Sequence, residues 1–578
     1  NHHFAEHGIE VKGVSLNVEQ LLGRKNSVVK QNNDGVLYLF KKNKITQITD
    51  EDDFSGGIFH DDYKSKTFFY SGLEKGGLSE LSYNRIYHDP HFFGSFHFSS
   101  YLPVEKASYS ITVPSDMEIA FTLFGTEKEK VIFTETVKGK TKTLTWTAEN
   151  LKKLESEDEA LDFNYFSTHV VVRIAKYNHN NTTTRFLGDV NDLYTYYRDF
   201  VKDINLKEDA DLIKLADSIS KNHTTPDDKV KAIYYWVQEN IKYVAFEDSL
   251  GGFVPREAKL VCDRRYGDCK DMSSLLYKMI NSIGLKSYYT WIGTRDIPYT
   301  YIEVPTPKVD NHMICTYFNG TDYIFLDATG NDEFGKPTSF IQGKQALVGI
   351  NETEFKLLQV PIVPAVQNAV ADTVYLTIED NLVKGKGKVT YIGYDASYLR
   401  PYIQGYDETE MKKFFENSFK KGNNKSTSSG DSIHNLKNKD LPLIMEYKFD
   451  IPEYIKINED EVYFNAFIKK YFSGANIKLE TNTLTKQNDY ESVNRIVTYL
   501  NIPDNLTLDY LPKNSSYTYD KFSFTIEYTH NKTNNTIEIN TYFVLNYTIL
   551  EPQEFVKWNE FVKKLNQSYA EVITFKKK

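Results

Sequence analysis

The sequence is poor in cysteine, with three residues, Cys262, Cys269 and Cys315, among 578. A fold held by disulfides needs an even and larger number of cysteines, so this class of cross-linked protein is excluded. Cysteine usage leaves the redox compartment undetermined.

The chain also lacks any apolar run near the roughly 18 residues that a membrane helix requires. Its first residues, Asn1–Phe4, have neither the charged nor the apolar region of a signal peptide, so we expect a mature or trimmed chain without a transmembrane segment. An excess of positive charge is missing too, because the formal net charge is −10 and no stripe of lysine and arginine occurs. Nucleic-acid backbones are bound through positive charge, so no polynucleotide partner is expected.

The length allows three or more domains, because single hydrophobic cores stop growing near about 250 to 300 residues. From Val11 to about Arg173, short alternating runs such as 35–40, Lys66–Tyr70 and Ser108–Pro114 are separated by turn residues. Short, evenly spaced strands of this kind are typical of a β-sandwich. We assign residues 1–190 to an N-terminal sandwich-like all-β domain.

Alternating strands resume after Pro361, and we assign residues 365–578 to a C-terminal β-rich region of one or two subdomains. Within it we predict a helix at Asp407–Lys421 and a polar loop, rich in Ser, Asn and Gly, at Asn423–Ser432. A terminal helix over 552–569 places its apolar residues on one face and should dock on a sheet.

The middle segment, 205–350, mixes helical and strand signals. Thr225 followed by Pro226 predicts a helix start, with a capping hydroxyl and a proline in the first turn. A second helix is predicted at Met272–Ile283. Three strands, predicted to form an antiparallel sheet, are Ser287–Ile292, His312–Phe318 and Tyr323–Leu326. These elements define an α+β core.

Cys269 lies in the segment Gly267–Asp271, directly before the apolar periodicity of the second core helix. This position puts its thiol on the first turn. A helix N-terminus carries about half a positive charge, which stabilises a thiolate and makes the sulfur a better nucleophile. Most buried cysteines are inert, so the position alone leaves the role open.

A predicted hairpin supplies two candidate partners for Cys269. His312 begins one strand, Asp327 follows the next, and Asn319–Gly320, a strong hairpin signal, lies between them. If Asn319–Gly320 forms a two-residue loop, His312 pairs with Asp327, and opposed Cβ atoms lie about 4.5 to 5.5 Å apart. A longer turn shifts this register but still leaves the two residues on neighbouring strands. The carboxylate would then fix the imidazole tautomer. A cysteine, a histidine and an aspartate so arranged are typical of acyl transfer.

With these residues the sequence resembles the transglutaminase-like superfamily, relatives of papain-type cysteine peptidases. The matching segments are Tyr266–Asp271, the aromatic stretch Ile233–Tyr243, Asn311–His312 and Leu326–Thr329. The resemblance covers about residues 205–350. It implies a transglutaminase-like (papain-like) core with Cys269, His312 and Asp327 as its catalytic triad.

The flanks resemble those of bacterial multidomain proteins, common in Bacteroidota, in which such a core lies between two β-rich domains of unassigned function. The segment Gly385–Arg400 carries this weaker similarity. The resemblance implies export to the periplasm or to the cell surface.

The chemistry expected of this triad is cysteine-dependent acyl transfer on amide bonds of a peptide or protein substrate. Besides the backbone N–H of Cys269, an upstream residue, Trp236 or Tyr243, is the candidate donor to the oxyanion. No cofactor and no metal is needed. If water completes the cycle, the enzyme is a peptidase or amidase, which we favour; if a lysine amine does, it is a protein-crosslinking transglutaminase.

Two other functions stay open. The chain could be a non-catalytic envelope scaffold whose large β domains bind a partner protein and whose core is only a packing unit. The tyrosine-rich β domains could also bind a glycan, together with either activity. Labelling by a thiol-directed probe that depends on Cys269 would separate the enzyme from the scaffold.

Overall fold

The fold is taken from a computed structural model. It describes residues 45–52, 58–61, 64–70, 74–83, 86–179, 182–247 and 252–578. The described residues fall into two compact units, one formed up to residue 86 together with 246–247, the other by the remaining residues.

The first unit contains strands β1 (Ile45–Asp52), β2 (Ile58–Asp61) and β3 (Lys64–Tyr70). Strands β1 and β3 pair in antiparallel fashion. The strand predicted at Lys66–Tyr70 is therefore confirmed. The predictions for the segment 35–40 and for the N-terminus lie outside the described residues.

The second unit opens with two facing sheets. One has the order β10-β9-β4, with β6 also paired to β9, and the other has the order β5-β8-β7. Trp146 and Leu144 of one sheet share a buried core with Val170 and Val172 of the other. The predicted sandwich-like arrangement is confirmed. Its elements are β4 (Ser95–His97), β5 (Val104–Pro114), β6 (Glu118–Phe124), β7 (Ile132–Lys138), β8 (Thr141–Leu151), α1 (Phe163–Phe166), β9 (His169–His179) and β10 (Thr182–Arg185).

The α+β core follows, as predicted. Its five-stranded antiparallel sheet has the order β16-β15-β14-β17-β18, and α6 packs on β14 and β15. The helices are α2 (Val190–Val201), α3 (Ala210–Ser220), α4 (Pro226–Asn240), α5 (Ala258–Arg264) and α6 (Cys269–Ser282). The strands are β11 (Lys242–Tyr243), β12 (Ala245–Glu247, of which 246–247 belong to the first unit), β13 (Tyr266–Gly267), β14 (Lys286–Ile292), β15 (His312–Asn319), β16 (Asp322–Leu326), β17 (Gln345–Gly349) and β18 (Phe355–Gln359).

Helix α4 begins as its sequence predicts. The Thr225 hydroxyl accepts the N–H of Asp228, and Pro226 occupies the first turn, where its missing N–H costs nothing. The helix buries Val230, Ile233 and Val237 against α3 and α6. Across the described parts of the chain, the helices are all too short or too polar to cross a membrane.

The C-terminal region is built on an eight-stranded sheet, β21-β22-β20-β19-β26-β30-β29-β28, and a four-stranded sheet, β23-β24-β32-β27. Its strands are β19 (Ala369–Glu379), β20 (Leu382–Tyr391), β21 (Thr427–His434), β22 (Leu443–Pro452), β23 (Lys456–Asn458), β24 (Glu461–Phe464), β25 (Lys486–Gln487), β26 (Ser492–Asn501), β27 (Leu506–Tyr510), β28 (Ser515–Tyr519), β29 (Phe522–Asn531), β30 (Thr536–Leu545), β31 (Ile549–Leu550) and β32 (Ile573–Lys577). Its helices are α7 (Tyr394–Gln404), α8 (Glu408–Ser418) and α9 (Phe555–Ala570).

Two C-terminal predictions are confirmed and one is wrong. Helix α8 lies within the predicted 407–421, and the terminal helix α9 docks on β28 and β29 through Trp558 and Phe561. The polar segment 423–432 is not all loop, because β21 begins at Thr427 and pairs with β22. This edge strand is polar because its outer side faces solvent, which hides it from a composition-based prediction.

Candidate active site

Cys269 is the first residue of α6, as the sequence predicts. Asp268 caps the helix: its side chain accepts the N–H of Asp271, whose own carboxylate accepts the N–H of Asp268. This reciprocal capping leaves the N–H of Cys269 without an intrahelical acceptor. The Cys269 side chain is half-buried. A half-buried nucleophile and a backbone donor therefore lie side by side at the start of α6.

The carboxylates of this helix start are held by two cations. Lys270 pairs with Asp268 in a nearly fully buried contact, and Arg256 donates to Asp271 through both its backbone N–H and its guanidinium. Burial raises the pKa of Asp268 despite the opposing charge of Lys270. Gly267 is required here, since a Cβ would lie 2.6 Å from Cβ of Asp271.

The hairpin that carries His312 exists, but its predicted register is wrong. Cys315 pairs with Leu326, not with Ile324, so the turn contains Gly320 and Thr321. Gly320 has φ of 67° and occupies the first central position, where type II′ turns take glycine. The shift is two residues, and strand side chains alternate faces with a period of two. His312 and Asp327 therefore remain on the same face.

His312 and Asp327 are in direct contact. Nε2 of His312 donates to Oδ2 of Asp327 over 2.8 Å. The same Oδ2 accepts the Thr338 hydroxyl at 2.7 Å, while Oδ1 accepts the hydroxyl and the N–H of Thr329 at 2.6 and 3.1 Å. Burial opposes ionisation, but His312 and the two threonines outweigh it and lower the pKa of Asp327 to about 2.

His312 also interacts with Cys269. Burial works against protonation of the imidazole, yet the charge and hydrogen bond of Asp327, together with those of Cys269, raise the pKa of His312 well above its usual value. Because Nε2 faces Asp327, Nδ1 is the nitrogen left for the thiol. The structure thus brings Cys269, His312 and Asp327 together in one cluster.

Two further contacts fix the relative position of helix and strand. The hydroxyl of Ser273, one turn after Cys269, lies 2.9 Å from the backbone oxygen of Met313, next to His312. The ring of Phe340 packs edge-on against the imidazole, with centroids 5.5 Å apart and planes at 71°. These contacts restrict the rotation of His312 and the distance between α6 and β15.

The two candidate oxyanion residues lie in different surroundings. Tyr243 is on β11, which pairs in parallel with β13, so its backbone lies opposite Gly267 and close to the start of α6. The Trp236 ring stacks under the guanidinium of Arg265 at 4.8 Å. Of the other cysteines, Cys262 is buried in α5, and Cys315 is fully buried beneath α6.

The sequence reasoning missed Thr329, Thr338 and Phe340. Thr329 had a usable signal, because an aspartate side chain often accepts the N–H two residues later. Thr338 and Phe340 lie at a short 3-10 turn, Ser339–Ile341, in the connection between β16 and β17, and had none. Among the described residues, no group of three His, Cys, Asp or Glu side chains is arranged to hold a metal ion.

The fold and the site together define a transglutaminase-like core within a multidomain chain. Residues 213–327 match the model of the transglutaminase-like superfamily. Residues 26–155 and 460–575 match two domains of unknown function, DUF3857 and DUF3858. The resemblance drawn from the sequence is confirmed, whereas the bounds 1–190, 205–350 and 365–578 stay a prediction.

The fold is similar to that of a solved structure. A candidate protease from Parabacteroides distasonis aligns over 84% of this chain and 74% of its own, with 11% identity and a TM-score of 0.51. A candidate cysteine protease from Cytophaga hutchinsonii aligns over 41% of this chain and 74% of its own, with 14% identity and a TM-score of 0.19, which is too low to inform the fold. No curated protein matches the chain.

Proposed function

We propose that the protein is a cysteine-dependent peptidase or amidase that cleaves amide bonds of peptides or proteins through Cys269, His312 and Asp327. The observation that carries the proposal is a half-buried thiol beside an imidazole that an ionised, fully buried carboxylate holds in place. The superfamily match and the candidate protease of the same fold support it.

In the first half-reaction the Cys269 sulfur attacks the amide carbonyl carbon while its proton passes to His312. A tetrahedral intermediate forms. The C–N bond then breaks as His312 returns the proton to the leaving amine, and a thioester remains. Asp327 keeps its charge and stabilises the imidazolium in both steps.

In the second half-reaction His312 takes a proton from water, and the hydroxide oxygen adds to the thioester carbonyl. The C–S bond breaks, the carboxylic acid leaves, and Cys269 recovers its proton. An amine in place of water would give a crosslinked amide, so the acyl acceptor decides between hydrolysis and transamidation.

For the oxyanion we propose the N–H of Cys269 together with Tyr243. Tyr243 is favoured over Trp236 because its strand runs beside Gly267, next to the start of α6. Loss of one oxyanion donor typically lowers kcat about 100- to 1000-fold. A Tyr243→Phe variant with unchanged kcat would remove its hydroxyl from this role.

The test of the enzyme is incubation with a peptide library plus a primary amine, followed by mass spectrometry. Hydrolysis yields shortened peptides, and transamidation yields amine-linked ones. We expect cleavage by wild type and by the matched controls Cys262→Ala and Cys315→Ala, and none by Cys269→Ala. Turnover that survives in Cys269→Ala refutes the proposal, and amine-linked products alone would assign the transglutaminase reaction.

We also propose that the protein acts in the periplasm or at the cell surface, which the family resemblance supports. Fractionation of cells that produce the full-length gene product is the test. Recovery in the cytosol alone would refute this location.

A further inference from the structure

The segment that joins β14 to β15, residues 293–311, leads directly into His312; we call it the His312 loop. It contains Arg295, whose side chain is 7% exposed. Loops usually run over the surface and move more than the elements they connect. The His312 loop ends on the proposed general base, so a fixed orientation of His312 requires contacts that hold this loop in place.

The C-terminal region holds the loop through Arg295. Nη1 donates to the backbone oxygens of Asn488 and Asp489, and Nη2 donates to that of Thr548, each at 2.9 Å. No carboxylate among the described residues forms an ion pair with this guanidinium. A buried cation whose hydrogen bonds all go to carbonyl oxygens is stable only where the backbone places those oxygens within reach of its N–H groups. The contact therefore requires an accurate backbone geometry in the C-terminal region.

The N-terminal sandwich also contacts the His312 loop, at the backbone of Arg295 and at Tyr299. The Tyr165 hydroxyl donates to the backbone oxygen of Arg295 at 2.7 Å. His169, fully buried, lies 2.6 Å from the hydroxyl of Tyr299 in the loop. Both flanking regions therefore contact the segment that precedes His312.

The contact continues from Arg295 to the site. The N–H of Arg295 donates to the backbone oxygen of Phe340 at 2.7 Å, and the Phe340 ring packs on His312. At the end of the loop, Asn311 accepts the N–H of Thr294 and donates to its hydroxyl, next to Arg295. A continuous series of contacts thus runs from Thr548 through Arg295 and Phe340 to the imidazole.

We infer that Arg295 is a positioning residue, through which the C-terminal β region sets the orientation of His312. The inference rests on the proposed function and gives the flanking region a part in catalysis. His312 must keep one ring nitrogen on Asp327 and the other at the thiol, and a displacement of about 1 Å far from the reacting atoms can cost about 100-fold in rate.

The test uses the full-length chain with Arg295→Met, Arg295→Lys and the control Arg173→Met. Arg173 is also a partly buried arginine that donates to a backbone oxygen, that of Leu187, outside the His312 loop. The measurements are kcat and KM for a cleaved peptide, and the rate of Cys269 alkylation by iodoacetamide at pH 6 relative to pH 9.

For Arg295→Met we expect kcat to fall about 10- to 100-fold with KM within about threefold, because binding is kept and alignment is lost. The pH 6 to pH 9 alkylation ratio should fall as well, since the thiol loses its oriented imidazole. Arg295→Lys should restore part of both, because an ammonium group reaches some of the three oxygens. Arg173→Met should leave both unchanged.

Wild-type kcat and alkylation ratio in folded Arg295→Met would overturn the inference. If that variant does not fold, Arg295→Lys decides, because it keeps a buried cation but cannot reach all three oxygens of the C-terminal region at once; an unchanged kcat and ratio there overturn the inference, and a decrease in both supports it. Turnover that persists in Cys269→Ala refutes the proposed function. Turnover that is lost in Cys269→Ala but unchanged in the Arg295 variants refutes this inference and leaves the proposed function standing.

Discussion

Replacing Asp327 by asparagine tests the centre of the site. The Asp327 carboxylate is 3% exposed and accepts four hydrogen bonds, from His312, Thr338 and twice from Thr329. The difference between its usual pKa of 3.8 and the value of about 2 corresponds to about 2 kcal/mol. A lowered carboxyl pKa stabilises the folded state above the pKa of the unfolded chain, and this stabilisation is lost between about pH 4 and pH 2.

In Asp327→Asn the amide nitrogen cannot accept, so at least one of these donors loses its partner. We expect the free energy of unfolding to fall by about 2 to 3 kcal/mol at pH 7. The difference in the free energy of unfolding between this variant and wild type should decrease as the pH drops from 4 towards 2, because the wild-type carboxylate is then protonated. We expect kcat to fall about 1000- to 10,000-fold, since His312 loses the group that fixes its tautomer.

Urea unfolding at pH 7, 5, 4 and 3 measures the first effect, and peptide cleavage at pH 7 measures the second. Asp332→Asn is the matched control, because Asp332 is also buried, and burial raises its pKa to about 7. Asp332→Asn should not lower the free energy of unfolding at pH 8, and its kcat should stay within about threefold of the wild-type value. Equal destabilisation of Asp327→Asn at pH 7 and pH 3, or kcat within threefold of wild type, would refute the reasoning.

Three further substitutions probe the surroundings of the site. Gly267→Ala places a Cβ 2.6 Å from Cβ of Asp271, so we expect a loss of about 1 to 3 kcal/mol in urea unfolding and a lower kcat; a variant as stable as wild type would contradict the clash. Thr338→Val removes one hydrogen bond to Asp327 and should raise the pH midpoint of acid unfolding, whereas an unchanged midpoint would show that this hydroxyl does not stabilise the carboxylate. Burial raises the pKa of Asp310 to about 7, so its ionisation costs stability increasingly as the pH rises from about 4 to 7. Asp310→Asn should therefore stabilise the protein more at pH 8 than at pH 5, by about 2 to 3 kcal/mol in denaturant titrations, and an equal effect at both values would argue against a neutral acid here.

The position of Cys269 could be predicted because the signals are local. A capping aspartate, a second aspartate three residues later and an apolar periodicity suffice to start a helix wherever it packs. The register of the hairpin was harder to predict, because either Asn319 or Gly320 can occupy the first central position of the turn. The site survived the wrong choice because an even shift keeps both side chains on one face.

The parts that sequence did not predict depend on distant packing. Thr338 and Phe340 reach the site from the connection between β16 and β17, whose path is set by the contacts of neighbouring elements. Helix α7 carries Pro401 in its interior, which argues against a helix on local grounds, yet its buried residues pack on the C-terminal core. Tertiary burial outweighs local propensity at such places.

Within the part of the chain that the structure describes, the guanidinium of Arg295 donates only to main-chain oxygens. The side chains at 489 and 548 can therefore be exchanged during evolution without loss of these hydrogen bonds, provided that the backbone keeps its course. Asn488 helps to fix that course, because its side chain donates to the backbone oxygens of Tyr490 and Tyr547. Hydrogen bonds of this kind do not require correlated substitutions between the core and the C-terminal β region. If distant relatives exchanged their C-terminal regions, the hydrogen bonds would be preserved wherever the loops superimpose.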